Sequence, residues 1–309
     1  MAANTCKKRA VNVTLPDGTR LHVVDQHPAG VAASEAVLWL QGLNAPASAW
    51  AAQLAHFGRT HRSVAPDQRG VGKSDAPPGP YSTGQLAADA LAVLDAHGVA
   101  RAHLVGLSLG GAVAQELVLR APERVASLAL LGSFAKQAPR SAALLRAWRA
   151  LYPVVSQSPE LREAWELQSY AWLFTDKFWR GRGSDDGDGR SFTDAALNGA
   201  GVRAALRFAA AQPLQSVAGF LGQVDAALGH DARQRLPQLR VPTLVLHGAV
   251  DQLSPLPCGE ELAQLIPGAE LIVLPEVGHA VNLEGQRTVN AALRSLWARA
   301  TRSAQATVR

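Results

Sequence analysis

Residues 102–111 have the sequence Ala-His-Leu-Val-Gly-Leu-Ser-Leu-Gly-Gly. The apolar run Ala102–Val105 predicts a buried strand, and Leu109–Arg120 predicts a helix directly behind it. Ser108 stands between them, with a glycine two residues before it and another two residues after it. This Gly-x-Ser-x-Gly pattern between a strand and a helix is typical of a tight, strained turn that exposes the serine hydroxyl. We therefore predict that Ser108 is a nucleophile.

The same alternation of strand and helix extends on both sides of this turn, which predicts βαβ units and a mostly parallel sheet with flanking helices. An N-terminal β-hairpin is expected at Val11–Leu15 and Arg20–Asp25. The other predicted strands are Ala36–Leu40, Arg62–Ala65, Val125–Leu131, Pro242–His247 and Glu270–Leu274. The other predicted helices are Ser48–Phe57, a helix that begins at Ser82 or Thr83 and ends at His97, Cys258–Leu265 and Asn282–Ala298.

The stretch from Ala135 to Leu236 contains helical patterns and no strand-like run. It also holds four of the seven tryptophans, namely Trp148, Trp165, Trp172 and Trp179. We predict that residues 1–134 and 237–309 form one α/β core, and that residues 135–236 form a helical cap inserted into it.

A serine nucleophile needs a base, and the base needs an acid to orient it. Asp251 follows the predicted strand Pro242–His247, and His279 follows the predicted strand Glu270–Leu274. Both therefore lie at carboxyl ends of strands, where sites form in parallel sheets. The order Ser, Asp, His along the chain is the one expected after such a turn. We predict a catalytic triad of Ser108, His279 and Asp251.

An acyl-transfer site also needs backbone N–H groups for the oxyanion. We predict that the N–H groups of Leu109 and Leu43 are these donors, Leu43 lying in the loop Leu40–Asn44 after an early strand. The side chains of Gln41 and Asn44 are open to two interpretations, since they either satisfy that turn or line the pocket.

The aromatic residues of the cap also have two interpretations. Trp148 and Trp165 are expected to pack the interior of the cap, because aromatic residues mostly lie in cores. Trp172, Phe174 and Phe178 are our candidates for a lid that covers Ser108 and contacts substrate.

Composition excludes several classes of protein. The chain has 309 residues, 48% apolar and 18% charged, which is ordinary globular composition. Its two cysteines rule out a disulfide framework, and its net charge of +5 comes from scattered arginines without a nucleic-acid-binding motif. We expect no signal peptide, because no apolar segment follows the basic residues near the start, and no membrane span, because no apolar stretch is long enough. We expect a cytoplasmic monomer or homodimer that binds a small molecule and no metal, nucleic acid or membrane.

Taken together, these segments resemble the α/β-hydrolase superfamily over nearly the whole chain. The resemblance rests on Leu40–Leu43, Asp67–Ser74, Gly106–Gly111, Asp251 and Gly278-His279. Within the superfamily, the stretch Pro77–Tyr81 is loosely similar to 3-oxoadipate enol-lactonases, and the stretches Tyr170–Trp179 and Gly278–Asn282 are loosely similar to aminoacrylate hydrolases. It departs from the common His-Gly pair at the oxyanion loop, where it has Gln41-Gly42.

We expect a serine hydrolase that cleaves a carboxylic ester or lactone of a small to medium metabolite through an acyl-enzyme, without a cofactor. The same triad is also compatible with hydrolysis of a C–C bond or an amide, and with a perhydrolase side activity. A rival from another class is a ligand-binding receptor with little turnover.

Overall fold

A computed structural model describes residues 7–28, 36–179 and 215–307. Its centre is an eight-stranded sheet with the order β1-β2-β4-β3-β5-β6-β7-β8. Strand β2 is antiparallel to both of its neighbours, and every other pair of adjacent strands is parallel. The strands are β1 (Lys7–Thr14), β2 (Arg20–His27), β3 (Ala36–Leu40), β4 (Arg62–Pro66), β5 (Ala102–Leu107), β6 (Val125–Leu131), β7 (Thr243–Gly248) and β8 (Glu270–Leu274).

Helices cover both faces of the sheet, because successive residues of a strand point to opposite faces. In β3, for example, Leu38 and Leu40 belong to one apolar core, and Val37 and Trp39 belong to the other. The first core is closed by α2 (Thr83–Ala96), α3 (Leu109–Arg120) and α8 (Leu256–Leu265). The second is closed by α1 (Ala51–Phe57), α9 (Val281–Glu284) and α10 (Gln286–Thr307).

The helices of the predicted cap that the structure describes are α4 (Pro139–Val155), α5 (Pro159–Leu173), α6 (Asp176–Trp179) and α7 (Val217–Gly229). Residues 180–214 of that insertion lie outside the described residues. Trp148 and Trp165 are buried, as expected, and their rings lie 5.7 Å apart. Tyr152 stacks on Phe220 of α7 with ring centroids 3.9 Å apart, so α4 and α7 share one aromatic cluster.

The predicted α/β architecture is confirmed, and most differences concern where elements end. The N-terminal hairpin strands are longer than predicted, since they pair over their full length from Lys7 to His27. The helix predicted at Ser48–Phe57 begins as a short 3-10 turn at Ala47–Trp50. The C-terminal helical stretch is interrupted at Gly285, which separates α9 from α10. In the part of the chain that the structure describes, no helix is long and apolar enough to cross a membrane.

Candidate active site

Ser108 connects β5 to α3 in a conformation that few residues adopt. Its φ is 53° and its ψ is −119°, outside the regions that non-glycine residues favour. Such a conformation costs on the order of 1–3 kcal/mol and persists only where the surroundings impose it. Here the Ser108 N–H donates to Leu131 O of β6 at 2.9 Å, and the Ser133 hydroxyl donates to Ser108 O at 2.9 Å. The turn is therefore held by the neighbouring strand and the loop after it.

The glycines around Ser108 are required by close contacts between backbone segments. A Cβ atom on Gly110 would lie 2.1 Å from Leu40 O, and one on Gly106 would lie 2.4 Å from Gly110 O. Real Cβ atoms essentially never approach backbone atoms so closely. The pattern that singled out Ser108 in the sequence thus has its cause in the packing of α3 against β3 and β5.

His279 and Asp251 meet at the carboxyl ends of β7 and β8. The His279 Nδ1 donates to Asp251 Oδ2 at 2.8 Å, and both side chains are at most 4% exposed. Asp251 Oδ1 accepts the N–H groups of Leu253 and Ser254, each at 2.8 Å. Because a carboxylate only accepts hydrogen bonds, the proton of the His279–Asp251 bond lies on Nδ1. In the neutral imidazole this leaves Nε2 free to accept a proton.

A second buried histidine lies beside this pair. His247 Nε2 donates to Ser254 O at 2.7 Å and lies 3.7 Å from Asp251 Oδ2. Burial lowers the pKa of His247, while the Asp251 charge and the bond to Ser254 O act in the opposite direction. No sequence pattern marks His247, which lies on β7 and supports the Asp251 loop through its bond to Ser254 O.

Ser108 lies close to two of the loops predicted to work with it. A Cβ atom on Gly42 would lie 3.3 Å from Ser108 Cβ, so the predicted oxyanion loop packs against Ser108. Gly132 follows the strand whose last carbonyl binds Ser108 N–H, and a Cβ there would lie 3.4 Å from Asp251 Oδ2. The side-chain hydroxyl of Ser108 makes no hydrogen bond to any described residue, and catalytic hydrogen bonds often form only in the complex with substrate. Proton transfer from Ser108 to His279 therefore stays a prediction.

The two predicted oxyanion donors lie at the start of α3 and in the turn after β3. Leu109 is the first residue of α3, where N–H groups have no partner within the helix. Leu43 lies in a turn in which the Ala45 N–H donates to Gly42 O at 3.3 Å. Asn44 has a φ of 59°, which asparagine tolerates in turns.

The side chains of Gln41 and Asn44 differ in their surroundings. Gln41 is fully buried and its Nε2 donates to Pro66 O at 2.6 Å, so it joins β3 to β4. This bond favours the interpretation of Gln41 as a support of the turn. Asn44 is exposed. Its backbone N–H, rather than its side chain, donates a hydrogen bond to the buried Gln223 Oε1 at 3.0 Å.

The three candidate lid aromatics lie at the end of α5 and in α6, and all are partly buried. Phe174 and Phe178 stack with ring centroids 4.0 Å apart, and the Arg140 guanidinium lies 5.1 Å from the Trp172 ring. Between Trp172 and Phe174, the carbonyl of Leu173 accepts the Ala280 N–H at 3.0 Å. The candidate lid segment therefore contacts the residue next to His279.

Glu284 strengthens this junction, although the sequence did not single it out. Its carboxylate accepts the Thr175 N–H at 3.1 Å and the Thr175 hydroxyl at 2.5 Å. Burial raises the pKa of Glu284, and its hydrogen bonds with Thr175 act in the opposite direction. Glu284 lies five residues after His279, so it joins the histidine loop to the cap. Among the described residues, no group of three or more metal-binding side chains comes together.

Comparison with known proteins places the chain among hydrolases. A family model described as the alpha/beta hydrolase fold matches residues 35–286. A protein of Variovorax paradoxus that bears the name carbamate hydrolase RutD is 32% identical over 272 residues, which cover 87% of this chain and 94% of that protein. The 2-hydroxymuconate semialdehyde hydrolase of Pseudomonas putida is 32% identical over 227 residues, or 73% of each chain.

Solved structures agree with this result. The enol-lactonase of Burkholderia xenovorans superposes with a TM-score of 0.75 at 25% identity, covering 93% of this chain and 99% of the enol-lactonase. A hydrolase of Pseudomonas aeruginosa superposes with a TM-score of 0.76 at 30% identity, covering 93% and 98%.

Proposed function

Since the chain belongs to the α/β-hydrolase family, we propose that it is a serine hydrolase that cleaves a carboxylic ester or lactone of a small to medium metabolite. One observation carries this proposal. A strained serine and a buried histidine–aspartate pair, joined at 2.8 Å, lie at the same edge of one sheet. Outside nucleophilic catalysis, a strained serine beside such a pair has no evident use.

In the proposed reaction, Ser108 Oγ attacks the carbonyl carbon while His279 Nε2 takes its proton. The N–H groups of Leu43 and Leu109 stabilise the oxyanion of the tetrahedral intermediate. His279 then gives the proton to the departing oxygen, which leaves an ester between Ser108 and the acyl group. Water attacks that ester, His279 takes one proton of the water, and the acid is released as Ser108 recovers its own.

The size of the substrate is inferred from the cap and from the relatives. The segment that carries Trp172, Phe174 and Phe178 contacts the His279 loop, so it is well placed to limit the pocket. The names of the relatives, a carbamate hydrolase, a semialdehyde hydrolase and an enol-lactonase, all refer to small molecules. A carbamate, an amide or a C–C bond next to a carbonyl offers the same electrophilic carbon, and these are the alternatives to an ester or lactone.

The nucleophile is tested with a fluorophosphonate probe and peptide mapping. We expect one adduct, on Ser108, and a loss of turnover on the order of 10⁶-fold in Ser108→Ala. The control variant Ser156→Ala, altered at the partly buried residue that follows α4, should label and turn over as the wild type does. Labelling that persists in Ser108→Ala would refute the assignment, and a wild type that binds ligands without turnover would favour a receptor.

The bond is tested by comparing kcat/KM across soluble acyl esters, lactones, a carbamate, an amide and a β-diketone. We expect an ester or lactone to be cleaved fastest. If one of the other three classes is preferred by tenfold, about 1.4 kcal/mol in the barrier, the substrate proposal is wrong while the triad stands.

A further inference from the structure

A buried glutamine of helix α7 binds the loop that holds the proposed oxyanion donor. Gln223 is fully buried, and both ends of its amide are bonded to backbone. Its Oε1 accepts the Asn44 N–H at 3.0 Å, and its Nε2 donates to Arg69 O at 3.2 Å. A single side chain therefore connects α7, the oxyanion loop and the loop after β4.

The Asn44 N–H is next along the chain to the Leu43 N–H, which is the proposed oxyanion donor. In a trans peptide the C=O and N–H groups point in opposite directions. The bond from Ala45 N–H to Gly42 O therefore fixes the direction of the Leu43 N–H, which belongs to the same peptide as Gly42 O. The bond to Gln223 fixes the following peptide. Together the two bonds determine the orientation of both peptides that flank the Cα atom of Leu43.

The partners of Gln223 are themselves held firmly. The Arg69 guanidinium, 3% exposed, donates to both carboxylate oxygens of Asp89 at 2.8 Å. Gln215 Nε2 donates to Gly70 O at 2.8 Å. Gly219 of α7 lies so close to this loop that a Cβ atom on it would be 2.2 Å from Gly70 O. The position of Gln223 relative to the oxyanion loop is thus set by close packing of α7.

We infer that Gln223 is a positioning residue for the oxyanion loop, acting through the Asn44 N–H to hold the Leu43 N–H toward the reacting carbonyl. This inference rests on the proposed function, because it assumes that the Leu43 N–H stabilises an oxyanion. The amide of Gln223 bonds to the backbone of Asn44 and Arg69 and not to Ser108. Its loss should therefore affect transition-state stabilisation more than substrate binding.

The test compares Gln223→Met with Val224→Ala, a matched control on the same helix. Val224 is also fully buried, and its truncation weakens the packing of α7 without removing a bond to the loop. The substrates are p-nitrophenyl acetate and its thionoester, in which C=S replaces C=O. Sulfur accepts hydrogen bonds weakly, so hydrolysis of the thionoester depends little on the oxyanion donors.

We expect Gln223→Met to lower kcat for the acetate by about 10- to 100-fold, since loss of one oxyanion donor costs about 10²–10³ and a displaced one costs less. KM and thionoester turnover should change little, so the ester-to-thionoester ratio should fall at least tenfold. Val224→Ala should lower the melting temperature and leave the ratio unchanged. Gln223→Glu retains an oxygen for the Asn44 N–H and should lie between the wild type and Gln223→Met.

An unchanged ratio in folded Gln223→Met, or an equal fall in Val224→Ala, would overturn the inference. If Gln223→Met does not fold, amide hydrogen exchange in the wild type decides. The Asn44 N–H should exchange slowly although Asn44 itself is exposed, and exchange at the rate of an unbonded loop would overturn the inference. Failure of the proposed function is separate, because it would show as wild-type protein without Ser108-dependent hydrolysis or labelling.

Discussion

Replacing Asp251 with asparagine should move the proton of neutral His279 from Nδ1 to Nε2. The two N–H groups of Leu253 and Ser254 both donate to Asp251 Oδ1 at 2.8 Å. Asparagine has one acceptor and one donor end, and these two N–H groups require the acceptor. Its NH₂ group then takes the place of Oδ2 and donates to His279 Nδ1.

The opposite orientation of the asparagine amide, with its NH₂ group toward Leu253 and Ser254, is unfavourable, and the lost hydrogen bonds give a range for its free-energy cost. It would leave the buried Ser254 N–H and the part-buried Leu253 N–H without an acceptor, at about 1–3 kcal/mol each. A total of about 2–6 kcal/mol leaves at most a few per cent of molecules in that orientation. In the rest, the imidazole proton lies on Nε2, so His279 cannot accept the proton of Ser108. In a serine protease this substitution lowers kcat by about 10⁴, or about 5.5 kcal/mol, and we expect a similar loss here.

The assay is kcat for p-nitrophenyl acetate, together with circular dichroism to verify the fold. Asp225→Asn is the matched control, since it makes the same chemical change at an ion pair with Arg149 on the cap. We expect the control to remain within twofold of the wild type. A loss smaller than tenfold in folded Asp251→Asn would show that Asp251 does not set the tautomer of His279.

Two further predictions concern the loops around this pair. Gly42→Ala places a Cβ atom 3.3 Å from Ser108 Cβ, so the predicted oxyanion loop must shift by a few tenths of an ångström. We expect kcat to fall about three- to tenfold with little change in melting temperature. An unchanged kcat would contradict the close contact. Glu284→Gln removes a carboxyl group, and burial raises the pKa of this group above 4.5. Glu284 therefore contributes to stability at low pH, and this contribution is lost as the pH rises through the raised pKa. The unfolding free energy of the wild type, measured in urea relative to this variant, should therefore fall as the pH rises above 4.5, and a difference that is constant with pH would refute it.

The turn at Ser108 and the pairing of Asp251 with His279 could be predicted, because the first depends on a short stretch of chain and the second on the carboxyl ends of two strands. Ser108 is marked by glycines within two residues of it, and their cause is a contact of α3 with β3 and β5 that recurs wherever a strand turns so tightly into a helix. Asp251 and His279 follow predicted strands in the order expected after such a turn, and the structure joins them at 2.8 Å. Helix α3 and strands β6 and β8 have the predicted bounds, because each is a clear apolar run between turn residues.

The supports of the site could not be predicted in the same way. Gln223 binds the N–H of a residue 179 positions earlier, and no local pattern distinguishes it from other glutamines in a helix. Glu284 binds Thr175 across 109 positions, and Gln41 turns its amide to Pro66 across 25. Such bonds depend on which elements pack together, and the periodicity of one element carries no information about its partners.

The close packing of α7 against the loop after β4 has a consequence for protein engineering. Gly219 and Gly222 lie directly against Gly70 and Tyr81, where any added side chain would collide. A chimaera that exchanges the whole insertion for that of another hydrolase would replace this helix together with the surfaces that fit it. Exchanging only α4 to α6, with the second junction placed before Gln215, would alter the cap while leaving the helix that contacts the oxyanion loop native. When the cap is exchanged to change substrate specificity, α7 should therefore be kept with the part of the chain that carries Ser108, although in the sequence it follows the other helices of the predicted cap.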